Sequence, residues 1–138
     1  SKSASSPQGI IEMLDDPLVS AKKIRSAVTD SEAEIRFDPD TKPGISNLLT
    51  IFSALTGRSL SQLETDYAGQ GYGALKGDLA DAVVEFVTPF RERTMELLDD
   101  KAQLTGILRD GADRAGAVAE QTLRDVMDRV GFLPPISR

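Results

Sequence analysis

The chemistry open to this chain is limited first by two residue types that it lacks. Its 138 residues include neither His nor Cys. Because His is the commonest general base and metal ligand, and thiolate chemistry needs Cys, these residues hold no Ser-His-Asp or Cys-His site. The carboxylates lack the spacing of an EF-hand loop, so we predict no metal site. Taken alone, the chain is a poor candidate for a complete enzyme.

The charged residues best suited to binding form one block in the first third of the chain. Lys22, Lys23 and Arg25 are followed by a polar turn, residues 29–32. The basic run suits either a solvated helix end, where cations complement the helix dipole, or a contact with RNA phosphate or ATP. The Asp30 carboxylate either caps a turn or accepts hydrogen bonds from a base amino group, as acidic side chains do with cytosine. The residues alone leave both alternatives open.

The overall composition narrows the kind of binding that is possible. A net charge of −6 argues against general nucleic-acid coating, because phosphate contacts dominate such binding. An acidic domain is still able to recognise exposed RNA bases through a few local groups. Apolar residues make up 40% and charged residues 28%, and we find no membrane span and no signal peptide. We therefore expect one domain with its own core, in a cytoplasmic protein without membrane contact.

Caps and helix breakers indicate where the first elements begin. Asp16 before Pro17 is typical of an N-cap followed by proline at the first helical position, which predicts a helix to about Val28. Its predicted buried face contains Val19, Ile24, Ala27 and Val28. We interpret residues 10–14 as a short strand or a helical turn, and residues 34–37 as a brief extended segment.

The following part of the chain has helical spacing throughout. Gly57 ends a helix whose apolar side contains Ile45, Leu48, Leu49, Phe52 and Leu55. Ser59 and Gln62 form a capping box that opens a short helix, and a glycine-rich turn, residues 69–73, comes next. A long helix from about Ala74 to Leu98 should be kinked by Pro89. Its predicted stripe contains Leu75, Leu79, Val83, Phe86, Phe90 and Leu97.

The last helix should start after Asp99-Asp100 and end at Gly131, with a break marked by Gly111. Its apolar stripe contains Leu104, Ile107, Leu108, Ala112, Ala115, Ala119, Leu123, Val126 and Val130. We interpret each of these stripes as core rather than as a ligand site. Since strand signals are few, the predicted fold class is all-α, a packed helix bundle with up-down neighbours.

A set of short motifs, taken in order, resembles a known family. They are S-K-S at Ser1, K-K-I-R-S-A-V-T-D-S-E from Lys22, K-P-G-I-S-N-L-L from Lys42, G-Q-G-Y-G-A-L-K-G-D-L-A from Gly69 and G-A-D-R-A from Gly111. Together they resemble the bacterial-type tryptophanyl-tRNA synthetases, which are class I enzymes, over nearly the whole chain. The resemblance implies a fragment that starts inside the K-M-S-K-S loop, with a loop remnant and connector at residues 1–16 and a helical anticodon-binding domain at residues 17–138.

The resemblance also implies a reaction. The family activates tryptophan with ATP and Mg, esterifies tRNA(Trp) and works as a homodimer. Ser1, Lys2 and Ser3 would correspond to the end of the ATP-binding loop, and Lys2 to the lysine that stabilises charge on the leaving pyrophosphate. The family's H-I-G-H motif cannot lie in a chain without His. We therefore expect the fragment alone to be inactive.

Four residues in the matching motifs are candidates for tRNA recognition. Asp30 and Lys76 are expected near the anticodon bases or the adjoining phosphates, and Arg25 and Arg36 are expected to contact phosphate. The alternative is an acidic helical protein-interaction module without an RNA role. That alternative explains the charge and the apolar stripes, but it does not explain the ordered motifs.

Overall fold

The protein is helical wherever it is described. A computed structural model describes residues 6–133, and within that range there is no strand, which confirms the all-α prediction. The α-helices are α1 (Pro17–Arg25), α2 (Pro43–Thr56), α3 (Leu60–Asp66), α4 (Gly71–Asp99) and α5 (Lys101–Val130), after a 3₁₀ turn at Pro7–Gly9. Over residues 6–133, every helix is too short or too polar to span a bilayer.

The chain divides into two compact units, residues 1–94 and 95–138. The hydrophobic core lies in the first unit and draws on α1, α2, α3 and α4 together with Ile35. Ile35 is buried although residues 34–37 form no strand. The boundary predicted at residues 16 and 17 stays a prediction. The start of a helix at Pro17 is confirmed, and the Asp16 carboxylate accepts from the Leu18 amide at 2.8 Å.

The predicted buried face of α1 is partly wrong. α1 ends at Arg25, and its buried residues are Ser20, Ala21 and Ile24. Val28 is 89% exposed because it lies beyond the end of the helix, where the helical period no longer applies. Val19 is also exposed, since it lies five residues before Ile24 and therefore about 140° away around the helix.

The local signals around α2 and α3 are confirmed. The predicted apolar side of α2 is buried apart from Leu55, which is half-buried. Gly57 has a φ of 71°, the left-handed conformation that favours glycine at a helix C-terminus. Ser59 and Gln62 form the reciprocal capping box at the start of α3. The short helix-turn-helix of α2 and α3 is thus specified by chemistry within a few residues.

α4 starts three residues earlier than predicted, which matters for the site. Tyr72 falls in its first turn, and Lys76 lies four residues later on the same side. The buried stripe continues in steps of four to Val87, and the prediction that Phe86 and Phe90 are core is wrong, since they are 54% and 51% exposed. Phe86 is one residue, about 100°, away from the buried row. The helix continues through Pro89, where the kink stays a prediction.

α5 has the predicted ends but not the predicted burial. The Asp100 side chain caps it, and Gly131 ends it with a φ of 75°. No break occurs at Gly111, because a glycine inside a helix costs only about 1 kcal/mol. The prediction of a core stripe is wrong, since no residue of Lys101–Val130 is buried. Periodicity shows which residues share a face, but it does not show whether anything covers that face.

One close backbone approach joins the start of α2 to the segment before it. A Cβ atom added at Gly44 would lie 2.5 Å from the Val28 carbonyl oxygen and 3.3 Å from the Thr29 Cα. Both neighbours are backbone atoms, which cannot rotate away as a flexible side chain would. Gly44 is therefore needed for space.

This contact yields a stability prediction. Gly44→Ala should lower the free energy of unfolding by about 1–3 kcal/mol, because the added methyl overpacks a rigid contact. Gly77→Ala is the matched control, since no described atom outside the helix backbone lies within 4 Å of its added Cβ. Because alanine is favoured over glycine inside a helix, Gly77→Ala should raise the free energy of unfolding by about 0.5–1 kcal/mol. Urea unfolding followed by circular dichroism measures both, and equal shifts for the two variants would contradict the argument.

Candidate nucleic-acid interface

The candidate residues converge on the connection between α1 and α2. We call residues 26–42 the α1–α2 loop; it contains turns and bends but no regular secondary structure. Asp30 and Arg36 lie on it, Arg25 directly precedes it, and Lys76 reaches it from α4. Ser1, Lys2 and Ser3 lie outside the described residues.

Asp30 is held inside this loop by one of its carboxylate oxygens. Its Oδ1 accepts from the Tyr72 hydroxyl at 2.6 Å, from the Glu32 amide at 3.0 Å and from the Lys42 ammonium at 3.2 Å. The Tyr72 hydrogen bond, with those from Glu32 and Lys42, lowers the pKa of Asp30 to about 2 against the opposing effect of burial. Its Oδ2 is buried and accepts no hydrogen bond from residues 6–133. The turn-capping interpretation is thus confirmed, and the base contact stays a prediction.

Lys42 is a functional candidate that the sequence analysis missed. Its side chain is only 2% exposed, and its ammonium lies 2.8 Å from a Glu32 carboxylate oxygen as well as 3.2 Å from Asp30. It also donates to the Tyr72 hydroxyl at 3.3 Å. The Glu32 hydrogen bond is the main reason that the pKa of Lys42 is raised above its usual range. A lysine in a polar loop is ordinarily exposed, so the residue type gives no hint of this burial.

Tyr72 contacts the middle of the loop at two residues, Asp30 and Glu34. Its hydroxyl oxygen lies 2.6 Å from Asp30 Oδ1 and 3.0 Å from the Glu34 carbonyl oxygen. A phenol has one proton, so the hydroxyl donates to one of these acceptors at a time while it accepts from Lys42. Burial and the Asp30 carboxylate raise the pKa of Tyr72, which keeps the hydroxyl protonated at neutral pH. The sequence feature that could have drawn attention to Tyr72 is the glycine-rich stretch at residues 69–73, which contains it and in which α4 begins.

Lys76 holds the beginning of the loop. Its ammonium donates to the Ala27 carbonyl at 2.8 Å and to the Thr29 hydroxyl at 2.9 Å. It also lies 6.0 Å from the centre of the Tyr72 ring, within the range of a cation–π interaction. Asp30 and Lys76 are therefore brought together around Tyr72.

Arg25 and Arg36 differ from these residues because their own side chains are exposed. Arg25 pairs with Asp81 at 3.0 Å, and its side chain is 56% exposed. Arg36 pairs with Asp38 at 2.7 Å and more loosely with Glu34, and its side chain is 48% exposed. The Arg25–Asp81 pair is exposed on both sides and contributes little to stability. The Asp38 side chain is only 23% exposed, and hydrogen bonds from Thr41 and then from Arg36 lower its pKa to about 2, so the Arg36 pair is the firmer of the two. The structure does not join either arginine directly to Asp30 or Lys76.

The arrangement has no feature of a metal centre within the described part of the chain. No group of three or more acidic, His or Cys side chains in residues 6–133 is placed to hold a metal ion. What the site offers is a loop of fixed shape with two exposed guanidinium groups beside it. Such a surface suits a charged macromolecule better than a small reacting substrate.

Comparisons with known proteins give the context. A family model described as tRNA synthetases class I (W and Y) matches residues 1–88. The tryptophan–tRNA ligase 2 of Streptomyces avermitilis is 60% identical over 97% of this chain, and the tryptophan–tRNA ligase of Mycobacterium leprae is 58% identical over 97%. This chain spans 40% and 39% of those relatives' length.

A solved structure agrees with the sequence matches. The tryptophanyl-tRNA synthetase of Mycoplasma pneumoniae matches with a TM-score of 0.83 and 32% identity, over 96% of this chain and 40% of that one. The fold, the ordered motifs and the family match all point the same way. The chain belongs to the class I tRNA synthetases of the tryptophan and tyrosine group.

Proposed function

We propose that this chain is the C-terminal helical part of a tryptophan–tRNA ligase. The observation that carries the proposal is the identity of 60% to such a ligase across 97% of the chain. It also accounts for the ordered motifs, which an acidic protein-interaction module leaves unexplained. The whole enzyme would activate tryptophan with ATP and Mg and then esterify tRNA(Trp), as a cytoplasmic homodimer.

Within that enzyme the chain would contribute one group to the activation step. Lys2, with Ser1 and Ser3, would complete the loop that holds ATP, and its ammonium would stabilise the negative charge that develops on pyrophosphate as it leaves. The other catalytic groups would have to come from outside these residues, because a chain without His has no H-I-G-H motif.

The helical part would recognise the anticodon of tRNA(Trp) around the α1–α2 loop. Arg25 and Arg36 would be the phosphate contacts, because their side chains are 56% and 48% exposed. Asp30 and Lys76 would lie near the bases or the adjoining phosphates. Recognition at a few points fits a chain with a net charge of −6, since a broad phosphate-binding surface would be basic.

The activation role can be tested on Lys2. The 138-residue chain alone should show no tryptophan-dependent pyrophosphate exchange. In the full-length ligase, Lys2→Ala should slow this exchange by roughly 10²–10³-fold, the usual loss for an electrostatic group of this kind, with the melting temperature unchanged. Lys101→Ala removes the same charge from an exposed position at the start of α5 and is the control. Exchange by the isolated chain, or an unchanged rate for Lys2→Ala, would refute the assignment.

The tRNA contact can be tested with activation as the internal reference. Arg25→Gln and Arg36→Gln in the full-length ligase should each raise the KM for tRNA(Trp) several-fold and reduce its salt dependence, because each removes about one phosphate contact. Pyrophosphate exchange without tRNA should not change. Arg109→Gln removes an equal charge from α5 as a control.

Asp30→Ala and Lys76→Ala complete the series. A lost base contact should raise the KM for tRNA about tenfold or more, whereas a lost turn cap alone should lower the melting temperature and reduce charging only in step with stability. Unchanged charging at limiting tRNA for all four variants would remove the α1–α2 loop from the interface.

A further inference from the structure

The α1–α2 loop lacks regular secondary structure, yet it is fixed at many points. Lys42 and Tyr72 hold residues 30–34, and Lys76 holds Ala27 and Thr29. Further along, the Phe37 amide donates to the Glu64 carboxylate at 2.6 Å, and the Asp38 amide donates to the Ser46 hydroxyl at 2.8 Å. Apart from Lys42, which is the last residue of the loop itself, these partners lie on α2, α3 and α4, so the helices of the core determine much of the shape of the loop.

Lys42 is the centre of this arrangement. A lysine ammonium has three protons, and the three acceptors around it are Glu32, Asp30 and the Tyr72 hydroxyl. Since the side chain is 2% exposed and its donors are used, Lys42 cannot itself reach a ligand. Its charge is paired with two carboxylates of the loop, those of Asp30 and Glu32. The direction of its pKa shift agrees, because the ammonium stays charged at any working pH.

The backbone between these anchors is strained at one residue. Ala33 has a φ of 60°, a left-handed conformation that side-chain-bearing residues rarely adopt. Lys42 holds Glu32, the residue before Ala33. The Tyr72 hydroxyl, whose one proton is shared between Asp30 and the Glu34 carbonyl, lies 3.0 Å from that carbonyl oxygen, in the residue after Ala33. A strained conformation persists only where its surroundings over-determine it, and here they do so from both sides.

The outer side of the same loop is open. Val28 is 89% exposed, Ser31 and Ala33 are exposed, and the Glu32 side chain is 66% exposed although its carboxylate meets Lys42. The loop thus presents one fixed outline to solvent, and it is anchored on its inner side by the buried Lys42 and the partly buried Tyr72 and Lys76.

We propose that Lys42 and Tyr72 are positioning residues for tRNA recognition, which hold residues 30–34 in the bound shape before tRNA arrives. This rests on the proposed function, in which the α1–α2 loop contacts tRNA(Trp). A loop that is already ordered loses less conformational freedom on binding, so its affinity is higher than that of a loop that must be ordered by the ligand. Neither residue touches RNA, and neither takes part in tryptophan activation.

The test uses Tyr72→Phe in the full-length ligase, which removes one hydroxyl and keeps the ring. Tyr67→Phe is the matched control, because the Tyr67 hydroxyl also donates to a carboxylate at 2.6 Å, that of Asp78, and Asp78 is not part of the loop. Tyr72→Phe should raise the KM for tRNA about tenfold by restoring the cost of ordering the loop. It should also speed hydrogen exchange of the amides of residues 31–34, with pyrophosphate exchange unchanged. Tyr67→Phe should change neither the KM nor the exchange of these amides.

Lys42→Met, which keeps an unbranched apolar stem and removes the charge, should have the same effects and a larger rise in KM. If this variant does not fold, Tyr72→Phe decides. Faster amide exchange with an unchanged KM for tRNA would overturn the proposal, and so would an equal rise in KM for Tyr67→Phe.

The arginine variants separate this proposal from the one on which it rests. If Arg25→Gln and Arg36→Gln raise the KM for tRNA while Tyr72→Phe does not, the interface stands and the positioning role is wrong. If the arginine variants and Tyr72→Phe all leave the KM unchanged, both proposals fall.

Discussion

The buried ammonium of Lys42 is the constraint on which the site depends. Lys42 is the one charged residue that is buried among residues 6–133. Burying an unpaired charge is strongly unfavourable. Its position is therefore tolerable only with Asp30 and Glu32 beside it, and this requirement fixes where the loop can run. Lys42 directly precedes α2, and Tyr72 lies in the first turn of α4, so the pairing also links two helices of the core. Breaking it would release the loop and leave a charge without compensation.

The irregular backbone of the loop is consistent with this rigidity. Functional residues commonly lie on loops that a rigid scaffold positions, because a loop can take shapes that helices cannot. Here the shape includes a left-handed alanine and a contact at Gly44 that leaves no space for a methyl group. Neither would survive in a mobile segment. Hydrogen bonds to the core helices thus stabilise a loop conformation that the local sequence would not adopt by itself.

Sequence reasoning succeeded where the cause lies within a few residues. Asp16 with Pro17, Ser59 with Gln62, Gly57 and Gly131 all specify helix ends through local hydrogen bonds or backbone conformation. It failed where the cause lies far along the chain. The Lys42 ammonium meets Tyr72, thirty residues away, and the period of α5 carries no information on whether its apolar stripe is buried. The candidate residues Asp30 and Lys76 were found through their motifs, but their meeting around Tyr72 follows from the packing of α4 alone.

Two kinds of ion pair in one small region bear on the proposal that this acidic chain contacts tRNA. The Lys42 side chain is buried and its three donors are used, so its pairs with Asp30 and Glu32 serve the shape of the loop, although the Glu32 side chain itself is 66% exposed. The Arg25–Asp81 pair is exposed, so salt and water weaken it, whereas Arg36 pairs with an Asp38 side chain that is 23% exposed. Under the proposed function, a tRNA phosphate would therefore displace the Asp81 carboxylate from Arg25 more easily than the Asp38 carboxylate from Arg36. Under the proposed function, the neighbouring carboxylates of Glu34, Asp38 and Asp81 would repel a polyanion that does not place its phosphates at the two arginines. Acidic surroundings would then favour selectivity over affinity, because they penalise non-specific contact.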